Sequence, residues 1–150
     1  MKTIVSQSSL VAIAAAAWLG LASVALAAPM SFSVPLAGAQ EVPAVQTAGS
    51  STANLTYDAS TKDMTWSISY KDLSGPVTMA HFHGPAAAGS NAGVQIWLSK
   101  RGNEPVPNPI TGHATLTDAQ ATQLAAGQWY VNIHTKNHPG GEVRGQVKLP

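Results

Sequence analysis

Ala53-Asn54-Leu55-Thr56-Tyr57-Asp58-Ala59-Ser60-Thr61-Lys62-Asp63-Met64-Thr65-Trp66-Ser67-Ile68-Ser69-Tyr70 is the stretch on which the fold turns. Ala53, Leu55 and Tyr57 alternate with polar residues until Asp58-Ala59-Ser60 interrupts. After Lys62-Asp63 the alternation resumes with Met64, Trp66, Ile68 and Tyr70. Successive side chains of a strand point to opposite faces, so a period of two marks two strands that are each apolar on one side. With turn residues between them they predict a β-hairpin.

The same signature repeats outward from this hairpin. Phe32, Val34 and Leu36 alternate ahead of Gly38, and Val77 to His83 forms a run opened by Gly75-Pro76 and closed by Gly84-Pro85. Val94, Ile96 and Leu98 make another strand, Gly112 to Leu116 a short one. Trp129, Val131 and Ile133 precede Val143, Gly145 and Val147. One helix interrupts the pattern: Thr117 with Gln120 three residues on is a capping box, Ala121, Leu124 and Ala125 give a modest apolar face, and Gly127 fits the stop. Ala86–Gly93 and Arg101–Ile110 read as loops. About eight strands and one short helix predict an all-β, antiparallel Greek-key-type β-sandwich, immunoglobulin-like or superoxide-dismutase-like.

The 150 residues contain no cysteine, which excludes a disulfide scaffold, a thiolate zinc site, an iron–sulfur cluster and a cysteine nucleophile. Only 10% of residues are charged and the formal charge is +1, so nothing in bulk electrostatics favours nucleic acid. Lys2, the apolar run from Leu10 to Leu26 and the small residues of Ala25-Leu26-Ala27 predict a signal peptide over residues 1–27. Cleavage there leaves one domain, 28–150, exported to a periplasmic or extracellular location, formally neutral and without a membrane span.

All five histidines fall between His81 and His138. His81 and His83 sit two apart on a predicted strand, which sends both imidazoles to one face with their Cβ atoms about 7 Å apart. His134 ends another strand and completes a three-imidazole metal site if that strand lies adjacent. This requires the strands ending at His83 and His134 to be neighbours, with both histidines at one end of the sandwich. Imidazoles without thiolate suit Cu(II) or Zn(II), with copper favoured by the first-row affinity series. His113 reads as a surface residue, and His138 as an exposed turn residue within swinging distance of His134. Glu41, Glu142 and Arg144 form a second set, in which a carboxylate–guanidinium pair would clamp the first segment to the last strand, the Glu41 or Glu142 carboxylate reaching Arg144 or a nearby backbone amide. Trp66 and Trp129 read as core. Trp97 falls on the face opposite Val94, Ile96 and Leu98. There is no G-x-S-x-G nucleophile context and no phosphate-binding glycine loop.

Four motifs in this order resemble a known family. They are Leu36-x-Gly38-x-Gln40-Glu41-Val42-Pro43, Ala80-His81-Phe82-His83-Gly84-Pro85-Ala86, Gly127-x-x-Tyr130-Val131-Asn132-Ile133-His134-Thr135 and Pro139-x-Gly141-Glu142-Val143-Arg144-Gly145-Gln146-Val147. Together they look like the CHRD domain, named from chordin and also found in bacterial exported proteins. The resemblance implies an all-β extracellular-type domain. Chordin's growth-factor partner does not carry over to a single-domain chain. Val77–Ala86 and Val131–Gly145 are also similar to two stretches of copper–zinc superoxide dismutase. By that similarity His81 and His83 correspond to its copper pair, His134 to a later copper ligand and Arg144 to its channel arginine. The zinc loop, the bridging histidine and the disulfide cysteines have no counterparts, so the similarity supports at most a mononuclear copper site.

Three functional classes follow: a non-enzymatic metal-binding domain, a protein-interaction or adhesion module with structural histidines, and a dismutase-like copper enzyme. Dense hydrogen bonding of all three imidazoles to protein groups would favour the second. Convergence of the rings within ligand distance would favour the first.

Overall fold

The structure, a computed structural model, describes residues 28–99 and 105–150; the expected signal peptide lies outside them. The hairpin forms as β2 (Ser50–Asp58) and β3 (Asp63–Lys71), with Tyr57 opposite Met64, Leu55 opposite Trp66 and Ala53 opposite Ile68. Its turn is set by Asp58, whose carboxylate accepts from the Ser60 backbone N–H at 2.8 Å and the Ser60 hydroxyl at 2.6 Å. The other strands are β1 (Met30–Ala37), β4 (Val77–His83), β5 (Val94–Trp97), β6 (Ile110–Thr115), β7 (Trp129–Thr135) and β8 (Val143–Val147).

All strand pairs are antiparallel, and they form one hydrogen-bonded sheet in the order β5-β4-β7-β8-β1-β2-β3-β6. The sandwich is therefore a single curled sheet whose two halves face each other. The curl falls at the β8–β1 junction, where the ladder thins to one pair, Ala37 with Arg144. Gly145 permits the close approach there, since a Cβ would meet the Pro35 carbonyl oxygen at 2.6 Å. Between the halves lies a core that includes Leu55, Trp66, Ile68, Phe82, Trp129, Val131 and Ile133. The Phe82 ring meets Trp66 edge-on at 5.8 Å, so β4 in one half packs against β3 in the other.

Two strand boundaries differ from the sequence reading. β6 starts at Ile110, inside the expected loop, because Ile110 pairs with Ile68 and fills the core. β5 ends at Trp97, and Leu98 is buried beyond it. The helix, α1 (Asp118–Ala125), carries the expected capping box. It ends in a Schellman pair, Gly127 N–H to the Leu124 carbonyl at 2.9 Å and Gln128 N–H to Gln123 at 3.0 Å. No helix among the described residues is long and apolar enough to cross a membrane.

The halves differ on their outer faces. β2 and β3 alternate buried and accessible residues through most of their length, whereas every residue of β7 is buried. Loops cover the outside of β4, β7 and β8, and the candidate site lies beneath them.

Candidate metal centre

β4 places His81 and His83 on its outer face because Ala80 and Phe82 turn into the core. On β7, Val131 and Ile133 face inward, so Tyr130, Asn132 and His134 take the outer side. β4 and β7 are neighbours, as expected. Their antiparallel pairing, however, corrects the expectation that His83 and His134 share one end: His83 lies opposite Tyr130, and His134 opposite Met79. The rings meet diagonally instead, with His81 between them. Diagonal neighbours on adjacent strands lie within reach of long side chains. One ligand nitrogen from each of His81, His83 and His134 falls within 4.8 Å of the other two. A tetrahedral ion with 2.0–2.1 Å bonds would hold such nitrogens about 3.3 Å apart, so modest ring rotation closes the set.

The hydrogen bonds determine which nitrogens face inward. A carbonyl oxygen only accepts, so the contact of His83 Nδ1 with the Ala92 carbonyl at 3.0 Å places the proton on Nδ1. The same argument puts the His134 proton on Nδ1, facing the Pro139 carbonyl at 2.8 Å. Both rings are left with Nε2 lone pairs. His134 Nε2 accepts from His81 Nδ1 at 3.1 Å, while His83 Nε2 is buried with no hydrogen-bond partner. Backbone carbonyls behind two of three imidazoles are the support that orients metal-ligating histidines. The three residues are 3%, 9% and 7% exposed in chain order. Burial lowers the pKa of His83 and of His134, outweighing the carbonyls and the Asn132 side chain that favour the charged forms; the Arg144 charge further disfavours protonation of His83, and His83 that of His134. Neutral imidazole, the ligating form, therefore prevails at neutral pH.

Aromatic groups wall the cluster. Trp97, on the edge strand β5, presents its ring edge-on to His81 at 4.2 Å, and Tyr130 stacks on His83 at 4.8 Å with planes 2° apart. Arg144 lies over the other partner of that stack, its guanidinium carbon 3.4 Å from the Tyr130 ring centroid. Tyr130 and Asn132 were not among the expected site residues, although the alternation Tyr130-x-Asn132-x-His134 is visible in the sequence. His113 is exposed on β6, and His138 stays in its turn outside the cluster.

Of the two partners expected for the clamp carboxylates, Glu142 meets a backbone amide, that of Ser74, and neither carboxylate pairs with Arg144. No carboxylate lies within ion-pair distance of Arg144 among the described residues, where Lys62–Asp118 at 2.6 Å is the ion pair present. Arg144 instead donates to Asn91 Oδ1 at 3.0 Å and to the Ser90 carbonyl at 2.7 Å. Glu142, fully buried, accepts from Thr47 Oγ1 (2.6 Å), Ser74 N–H (2.8 Å), Ser74 Oγ (2.8 Å) and Thr135 Oγ1 (2.6 Å). Although burial pushes its carboxyl up, those donors outweigh it and bring the pKa down to about 2. Glu41 is the opposite case. Burial raises it to about 7, the charge of Arg144 and the Asn132 amide only partly compensating, and its Oε1 has no partner. Neutral donors satisfy the Glu142 carboxylate because the loops carrying Thr47 and Ser74 fold over it, while Ser90 and Asn91 occupy the guanidinium.

The fold and these side chains define an all-β domain with a buried three-histidine cluster on one face of a curled sheet. The chain belongs to the CHRD domain family, whose model matches residues 32–147. Among curated proteins and among solved structures, nothing matches the chain.

Proposed function

We propose that this CHRD domain is an exported, non-enzymatic metal-binding domain that holds Cu(II) or Zn(II) through His81, His83 and His134. The observation that carries the reading is the buried, unpartnered Nε2 of His83, set beside the neighbouring imidazoles and fixed as an acceptor by the Ala92 carbonyl. A buried acceptor left without a donor costs about 1–3 kcal/mol, which a bound cation would offset. Copper is the stronger candidate, because three neutral imidazoles rank it above zinc. Export rests on Lys2, the apolar run and Ala25-Leu26-Ala27.

The test is a titration of the mature protein with Cu(II), and separately Zn(II), in a weakly competing buffer, read by calorimetry and by Trp97 fluorescence. One ion should bind per chain, with stoichiometric binding lost in the His81→Ala/His83→Ala/His134→Ala protein. Unchanged binding in that triple variant, or none in the parent, overturns the reading.

A further inference from the structure

Residues 84–93 read Gly-Pro-Ala-Ala-Ala-Gly-Ser-Asn-Ala-Gly, and they cross the outer side of the histidine cluster. Most of this segment is exposed, and it has no large apolar side chain with which to anchor itself. Polar contacts hold it. Its base is tied by Gly84 N–H to Gly93 O at 3.1 Å, Ala86 N–H to Gln128 O at 2.7 Å and Gln146 Nε2 to Ala86 O at 3.0 Å. Its tip, Ser90 to Ala92, is tied by different groups. Arg144 donates to Ser90 O and Asn91 Oδ1, Asn91 Nδ2 donates to Val42 O at 2.9 Å, and the Tyr130 hydroxyl meets Ala92.

The tip also carries the carbonyl of Ala92, the acceptor that orients His83. Arg144 thus reaches His83 by two routes: through the strap to the Ala92 carbonyl, and through Tyr130, whose ring contacts both the guanidinium and the imidazole. It is 1% exposed and touches none of the three histidines in these contacts.

Building on the metal reading, we propose that residues 84–93 are a strap closed over the metal centre, and that Arg144 is the positioning residue that latches it. Lifting the tip withdraws the carbonyl behind His83 and uncovers the rings in one movement. Metal exchange is then limited by release of the latch. A strap of mostly exposed residues with no apolar anchor belongs to the low-stability end of a fold, where local opening is expected to occur without global unfolding.

The experiment compares parent, Asn91→Ala, Arg144→Gln and Arg144→Lys, each loaded with one equivalent of Cu(II) and mixed with excess EDTA. Asn91→Ala and Arg144→Gln should release copper about tenfold faster, the factor for one charge-assisted hydrogen bond lost from the closed form. Arg144→Lys, which keeps the cation but not the two-pronged grip, should fall between. The copper EPR hyperfine splitting should shift in Arg144→Gln, because His83 loses its support. In metal-free Asn91→Ala, the Ala92 amide should exchange its hydrogen faster than in the parent. Asn91 is exposed, so this variant decides the matter if Arg144→Gln fails to fold. Equal release from loaded parent and Asn91→Ala overturns the strap and leaves the metal site standing. A parent that takes up neither Cu(II) nor Zn(II) overturns both, and one that takes up Zn(II) alone is put through the same release comparison with zinc.

Discussion

The two halves of the curled sheet solve the same problem in different ways. Ser31, Ser33, Thr52, Asn54 and Thr65 carry polar groups on the outer face of β1, β2 and β3, and water satisfies them at little cost. Across β4, β7 and β8 most of the polar groups are buried. Trp97, His81, Asn132 and Arg144 form one row through successive strands there. A buried polar group needs a partner, so this half recruits loops, and the loops make the site. Within it the contrast repeats on a smaller scale: Glu142 has four donors and a lowered pKa, whereas Glu41 has an unpartnered oxygen and a raised one.

The largest expected effect is Glu142→Ala, which strands buried donors on Thr135 and the Ser74 segment and should cost about 3–5 kcal/mol in urea unfolding. A cost under 1 kcal/mol would show that the loops do not depend on this carboxylate. Gly141→Ala comes next. Its φ of +122° suits glycine, and a Cβ would lie 2.5 Å from Glu41 Oε1, so a loss of about 2 kcal/mol or more is expected. A melting temperature within a degree of the parent's would mean that the Glu41 segment yields freely.

The carboxylates separate again by pH. Glu142 binds fewer protons folded than unfolded between pH 4.5 and about 2, so its contribution is present above that window and is lost as pH falls through it. Glu41 binds more protons folded than unfolded between 4.5 and about 7, so its contribution is present below the window and is lost as pH rises through it. His83 and His134, with lowered values, lose stability as pH falls below about 6.5. Glu41→Gln should therefore steepen the acid decline between pH 6.5 and 4.5, because the opposing slope disappears. Parallel stability–pH curves for the two proteins would remove Glu41 from this account.

The smallest effect is expected on the solvated half. Ser33→Ala deletes a hydrogen bond to Asn54 on an exposed face and should change stability by less than about 0.5 kcal/mol, with copper binding unaltered. A larger loss would show that the hydroxyl rows of β1–β3 are structural in their own right.

Strand positions, the β2–β3 hairpin and the capped helix were legible in the sequence because each is governed by neighbours in the chain: a period of two, a turn, a capping box. The pair His81 and His83 was legible for the same reason, since strand geometry alone puts them on one side. The candidacy of His134 could also be read, but its approach to the pair could not. That depends on β7 pairing with β4 in a register that sets His134 opposite Met79. The partners of Glu41, Glu142 and Arg144 were beyond sequence reasoning too. Charge complementarity suggested that the ions would meet one another, but the donors nearest each group were decided by loops far away in the chain, Thr47 and Ser74 for Glu142 and Ser90 with Asn91 for Arg144. The sequence by itself determined the local conformations and which residues each strand presents to a common face, because those follow from backbone geometry and side-chain periodicity. The tertiary structure alone decided which faces are buried twice and which distant loop satisfies each buried charge, because desolvation acts on a polar group only once other segments have covered it.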